Sequence, residues 1–295
     1  MVLVLVILFT GCGQPAGLPA QNQTTPSLDP AYTIPAPLTL EMLKNTEYQA
    51  QNGMRLVKMV DGKYEIGSGA DYMSVSMLDK VAFGDLNSDS SQDAAIILVE
   101  NYGGSGAFEY LVPVFNNSGA PLPSSGFFLG DRVVVNSLNI ADGRIILDML
   151  VQAPNDPLCC PSQPMTQSYK FYWGPGLIPV KVSSGTPTGG LREIVFDTPR
   201  EGDEVSNPIQ LTGKVSISPF ENTLVVRIMD SNNNQIYQGP IMVSSPDMGA
   251  PGSFDAMVDI SGSPVSPGMI RIEILDISMA DGSTLAMDSV ELILK

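Results

Sequence analysis

"TLVVRIMD", residues 223–230, puts Leu224, Val226 and Ile228 on one side of an extended chain and Val225, Arg227 and Met229 on the other. Successive side chains of a strand point to opposite faces, so this alternation predicts a strand with one face in a core and the other toward water. "MIRIEILDIS", 269–278, repeats the pattern, and five further short runs surround the pair: "REIVFDTP" (192–199), "IQLTGKVSI" (209–217), "NQIYQGPIMV" (234–243), "SFDAMVDI" (253–260) and "LAMDSVELIL" (285–294). Turn-like stretches such as "SNNN", "SSPDMGAPG" and "ADGS" separate the runs. Seven short strands at this spacing predict a two-sheet β-sandwich over residues 192–295. The segment has no cysteine, so its core must hold by apolar packing alone.

Three landmarks recur in order along this segment: "TPREGDEVSNPIQLTGKV" with Pro199, Gly202, Pro208 and Gly213; "FENTLVVRIMD" with Phe220 and Glu221; and "DISMADGS" with Ser278, Asp281 and Gly282. With them the segment resembles the bacterial spore-germination-associated immunoglobulin-like domain family. The resemblance implies an immunoglobulin-like sandwich in a secreted or lipid-anchored bacterial protein, brings no catalytic residues with it, and stops short of the first half of the chain. Phe220 is expected in the core and Glu221 at its rim.

The whole chain shares this β-rich character. Gly 28 and Pro 24 punctuate runs of Val, Ile, Thr and Tyr, and 43% hydrophobic with 16% charged residues describes a globular chain with room for two cores. The formal charge is −16 and is spread over both halves: residues 38–182 hold 15 acidic and 9 basic side chains, residues 183–295 hold 15 and 6. Neither half offers the basic stripe that phosphate binding requires, so nucleic acid is not an expected partner. Histidine is absent, which removes the commonest general base and the usual metal ligand.

The chain begins "MVLVLVILFTGCGQPAG". The apolar run Val2–Phe9 is too short to span a bilayer and reads as the core of a signal peptide over residues 1–11. "LFTGC" resembles a bacterial lipobox, which implies that Cys12 becomes the first mature residue and carries a diacylglycerol, attaching the protein to a membrane. Residues 12–37, rich in Pro, Gln, Thr and Ala, read as a disordered tether. The expected location is the bacterial cell envelope, outside the cytoplasm.

Residues 38–182 are expected to form an α+β or mostly β domain built as an antiparallel meander. Thr39 ahead of "LEMLKN" suggests a short capped helix. "MRLVKMVDGKYEI" and "NSLNIADGRIILDMLV" set Asp-Gly between strand-like runs, and "GGSG" lies between "AAIILVENY" and "AFEYLVPVF". In "FGDLNSDSSQDAAIIL" (83–98), Asp85, Asn87, Asp89, Ser91 and Asp93 fall at positions 1, 3, 5, 7 and 9 of a loop that resembles the calcium loops of integrin-type propeller repeats and dockerins. Ser90 stands where those loops prefer glycine, and Ile96 where an EF-hand-like loop would place glutamate. Two readings follow: a Ca²⁺ site, calcium being the one cofactor the chain suggests, or a polar turn whose side chains bond their own backbone.

Cys159 and Cys160 are adjacent in "APNDPLCCPSQP". With Cys12 acylated, they are left to form a vicinal disulfide or a thiol pair that stiffens the loop; a redox switch or soft-metal site is the other reading. "VSSGTPTGG" (182–190) underlies an expected flexible linker over 183–191. The leading functional reading is a non-catalytic envelope lipoprotein whose immunoglobulin-like module binds or spaces an envelope protein or glycan. The alternatives are a carboxylate-dependent envelope glycan hydrolase using residues such as Asp79, Asp85 or Glu109, and a calcium-dependent adhesin or sensor dependent on the Asp85 loop.

Overall fold

The computed structural model describes residues 35–51, 53–264 and 266–295. The signal segment 1–11, Cys12 and the tether as far as residue 34 lie outside the described residues. The first element is the expected short helix, α1 (Leu40–Lys44), whose N-cap Thr39 accepts the Met42 N–H at 3.2 Å. It buries Leu43, whose carbonyl accepts the Tyr48 hydroxyl at 2.8 Å. Strands β1 (Glu47–Ala50) and β2 (Arg55–Lys58) form a hairpin beside it.

Asp61 and Gly62, at φ 50° and 77°, turn the chain into β3 (Lys63–Ile66). The turn forms as expected, but a bridge from Val60 to Lys63 replaces a full hairpin. β2 and β3 belong to different sheets, because Val57 and Met59 are drawn into the core beneath the first hairpin. Next come β4 (Met73–Gly84), β5 (Asp93–Asn101), β6 (Phe108–Asn117) and β7 (Ala120–Pro123), giving a sheet of order β3-β4-β5-β6-β7, with β8 (Phe127–Asp131) also on β6.

The run Ala94–Val99 reads as continuously apolar because both faces of β5 are covered. Ala94, Ile96 and Leu98 pack with Leu43, Tyr48 and Val57 on one face. Ala95 and Ile97 pack on the other face with Leu138, Ile145, Leu147 and Tyr169. These last residues come from β9 (Val134–Ala141), β10 (Arg144–Val151) and β11 (Gln163–Tyr172), which with β12 (Gly176–Gly185) form an antiparallel run. Each buried aliphatic side chain contributes about 1.5–3 kcal/mol, so the central strand secures two layers at once. With one five-residue α-helix here, the first module is mostly β, which decides between the two expected classes.

The second module follows the seven expected runs. Short β13 (Leu191–Arg192) precedes β14 (Ile194–Thr198); β15 (Glu204–Val205) precedes β16 (Ile209–Val215); then come β17 (Thr223–Asp230), β18 (Gln235–Met242), β19 (Gly252–Val258), β20 (Gly268–Ile277) and β21 (Thr284–Leu294). Strands β14-β16-β19 form one sheet, facing β18-β17-β20-β21 across a core that includes Leu211, Leu224, Val226, Ile228, Phe254, Ile272 and Ile274. The inward set read from "TLVVRIMD" is fully buried.

"MIRIEILDIS" behaves differently from its alternation. Arg271 and Glu273, on the face expected to meet water, are buried together with Leu275. Side chains of the first module meet that face, Tyr172 at Arg271 and Val182 at Leu275. They are brought there because β12 pairs with β21 at Lys181 with Asp288 and Val182 with Met287, extending the sheet in the order β18-β17-β20-β21-β12-β11-β10-β9. Arg271 is neutralised locally, donating to Glu273 Oε1 at 3.0 and 2.8 Å and lying over the Tyr172 ring at 5.3 Å.

The stretch 183–191, expected as a flexible linker, is instead ordered structure at this join. Ser183–Gly185 end β12, and a turn closed by Thr186 N–H to Gly190 O (2.8 Å) returns the chain to β13. Ser184 Oγ donates to Leu285 O at 2.6 Å, and Arg192 pairs with Asp276 at 2.5 Å. Glycine, proline and serine suit a tight reversal as well as a linker, and here the backbone bonds are made.

Candidate functional site

The Asp85 loop joins β4 to β5 and closes on itself. Asp85 Oδ1 accepts the N–H groups of Asn87 (3.1 Å) and Ser88 (2.7 Å), and its Oδ2 accepts that of Ser90 (2.8 Å). Asn87 Oδ1 accepts the Asp89 N–H at 3.1 Å, while Asp89 accepts the Ser91 N–H at 2.7 Å and the Asn87 amide at 2.9 Å. The Ser91 N–H, foremost, holds the Asp89 carboxyl below the usual range. Ser88 and Ser90 adopt φ 62° and 67°, so Ser90 takes the left-handed conformation that glycine would supply more easily. Ser91 is buried, and among the described residues no three acidic or sulfur side chains are grouped to hold a metal ion.

Asp93 belongs to the sheet more than to the loop. It is fully buried; Oδ2 accepts the Leu86 N–H (2.9 Å) and Oδ1 the Asn116 N–H on β6 (2.8 Å). Burial pushes its carboxyl up, with the Asn116 and Leu86 N–H groups opposing and the Asp89 and Asp85 charges adding to the rise.

The other carboxylates singled out in the sequence are dispersed. Asp79 is almost wholly exposed and lies 3.8 Å from Lys44. Glu109 is buried on β6, with Oε2 accepting the Val133 N–H at 3.0 Å, and burial pushes its carboxyl up to about 7. Glu109 pairs with Val99, and Asp85 lies just beyond the pairing of Gly84 with Asp93. Six residues of strand separate those registers, roughly 20 Å at strand rise. A carboxylate pair for glycoside cleavage needs about 5–9.5 Å, and Asp85 and Glu109 are set farther apart along the sheet than that.

Cys159 and Cys160 are joined by a disulfide, with Cα atoms 3.8 Å apart. Their loop is tied by Asp156, which accepts Ala153 N–H, Ser162 N–H and Ser162 Oγ–H, and by Leu158 O, which accepts from Arg132 Nη1 at 2.6 Å. On the second module Phe220 is 58% exposed, not a core residue as expected. It begins a 3-10 turn in which Glu221 and Asn222 have positive φ, and this turn swings the ring off the sandwich.

One feature escaped the sequence reading. Where the tip of the β1–β2 hairpin meets the ends of β5, β6 and β8, a groove of ≈ 640 Å³ is lined by Gln51, Met54, Tyr102, Phe108, Tyr110 and Phe128. Ring centroids run 5.7 Å from Tyr102 to Phe108, 6.4 Å from Phe108 to Phe128 and 5.3 Å from Phe128 to Tyr110. Glu100, 1% exposed, accepts the Tyr102 hydroxyl and the Gln51 N–H, the latter at 3.1 and 3.3 Å. The i, i+2 aromatics Phe108 and Tyr110 signalled one aromatic face of β6, but only folding brings Tyr102, Phe128 and the hairpin tip to it.

Residues 193–283 match the family described as the immunoglobulin-like domain of bacterial spore germination. No curated protein matches the chain.

Proposed function

We propose that this protein is a non-catalytic component of the bacterial cell envelope, held at a membrane by diacylglycerol on Cys12, whose immunoglobulin-like module binds or spaces another envelope component. The observation that carries the reading is the sandwich at residues 193–283, which matches an immunoglobulin-like family and continues the first module's sheet through the pairing of β12 with β21. A module joined in this way carries β18 at the end of the sheet opposite the join, which suits a spacer or a presented binding surface. The "LFTGC" sequence supports the anchor, because acylation at its cysteine attaches a protein to a membrane without a spanning helix.

The test is fractionation of the full chain and of Cys12→Ser from a bacterial host, followed by capture of envelope proteins and glycan on each form. Membrane partition of the parent and release or non-processing of the variant are expected, with the same envelope component retained by both. A Cys12→Ser protein that is processed normally and stays in the membrane fraction would overturn the anchor. Retention of no envelope component by either form would overturn the binding role.

A further inference from the structure

We infer that the aromatic groove of the first module is a binding site for an organic cation bearing an alkylated ammonium group. The inference stands apart from the anchor and from the immunoglobulin-like module, since it rests on residues of the first module alone.

The groove is mostly apolar and aromatic, and two of its rings meet solvent: Tyr102 is 37% and Phe128 49% exposed. Four neighbouring π faces attract a positive charge through their quadrupoles while covering its alkyl groups. Met54, largely exposed, adds a polarisable thioether at the rim.

The charge beneath the rings points to the sign of the ligand. Glu100 pairs with Phe108 across β5 and β6, and its carboxylate is buried under the groove. It takes part in none of the ion pairs among the described residues; its hydrogen-bond donors are neutral. A buried carboxylate without a counter-ion is costly, and its field is weakly screened inside the protein. Tyr110, which lines the groove, has its hydroxyl pushed up, first by burial and then by the Glu100 charge. The surrounding half of the chain carries 15 acidic and 9 basic residues, which further attracts a cation.

Other ligand classes fit less well. A sugar needs donors and acceptors around its ring edge, but the Tyr102 hydroxyl is committed to Glu100, leaving the Gln51 side chain and the Tyr110 hydroxyl. A neutral apolar ligand would leave the carboxylate uncompensated, and an anion would be repelled by its charge from across the ring layer. An alkylated ammonium uses the rings and the charge together.

The experiment titrates choline into the full chain in detergent, in parallel with its neutral isostere 3,3-dimethylbutan-1-ol and with glucose, by calorimetry and ligand-observed NMR. Choline should bind at least roughly tenfold more tightly than the neutral isostere, with affinity falling as salt rises. Phe128→Ala, which removes a half-exposed ring, and Glu100→Gln, which keeps the shape and removes the charge, should each weaken choline at least roughly tenfold. Phe128→Ala serves as the decisive variant if Glu100→Gln does not fold. Equal affinity for the neutral isostere, preference for glucose, no choline binding at tens of millimolar, or an unchanged Phe128→Ala would each overturn the assignment.

Discussion

Asp93 and Glu109 are buried carboxyl groups on neighbouring strands that are held in different ways. Asp93 gives each oxygen its own N–H donor, Leu86 in the loop and Asn116 on β6. Glu109 relies chiefly on Val133, and burial raises it from 4.5 to about 7. Between those two values the folded protein keeps a proton that the unfolded chain has released, so stability is full below about pH 4.5 and is lost as pH rises through 7. The loss is at most about 3 kcal/mol. Glu109→Gln keeps an acceptor for Val133 and removes the titration. Thermal unfolding from pH 5 to 8 should therefore show the parent midpoint falling more steeply than the variant's; parallel curves would refute the argument. Asp276 and Asp288, also raised by burial, titrate in both proteins and cancel in the comparison. A second residue-scale expectation concerns the Asp85 loop. Its oxygens already serve its own backbone, so millimolar Ca²⁺ and chelator should give the same midpoint. A calcium-dependent rise abolished by Asp85→Ala with Asp89→Ala would instead assign a metal site.

Among the elements, β5 and β16 show why particular residues are required. β5 needs side chains that are apolar on both faces because it is sandwiched between the hairpin layer and β9–β11. β16 needs Gly213: a Cβ there would lie 2.3 Å from the Phe254 ring and 2.4 Å from Val195 O. Phe254 is the cross-strand partner of Gly213 on β19 and is buried in the sandwich core, so its ring has no free space into which to retreat. Gly213→Ala should cost about 1–3 kcal/mol, read as a lower denaturant midpoint with an unchanged slope. A neutral outcome would mean that β19 can slide without loss. This position was visible in the sequence as a landmark; the steric reason for it was not.

At the scale of the whole molecule, the two modules share a sheet and a half-buried polar seam. Lys170 and Tyr172 both reach Glu291, whose carboxyl is pushed up by burial but held below the usual range on balance by those two partners. Ser289 Oγ donates to Val180 O at 2.7 Å, and Val182, Leu275 and Met287 form a small apolar cluster beside it. Limited proteolysis of the full chain should leave residues 183–191 uncut, because that turn is tied to Leu285 and Asp276 through Ser184 and Arg192. Asp276→Ala, which releases Arg192, should make the same turn a cleavage site. Early cutting of the parent there would show that the seam opens freely.

The sequence by itself determined the β class, the seven strands of the sandwich, the Thr39 cap and the Asp142-Gly143 hairpin between β9 and β10, because each depends on periodicity or backbone chemistry within a few neighbouring residues. It left the Asp85 loop open between two readings, since the same oxygens serve an ion or a backbone equally well. Only the tertiary structure decided that Arg271 and Glu273 are buried, that 183–191 is a turn and that Phe220 faces solvent. The aromatic groove likewise arises only when Tyr102, Phe108 and Phe128 converge from β5's end, β6 and β8. These outcomes depend on which surfaces meet across distant parts of the chain, and local periodicity carries no record of the partner that covers a face.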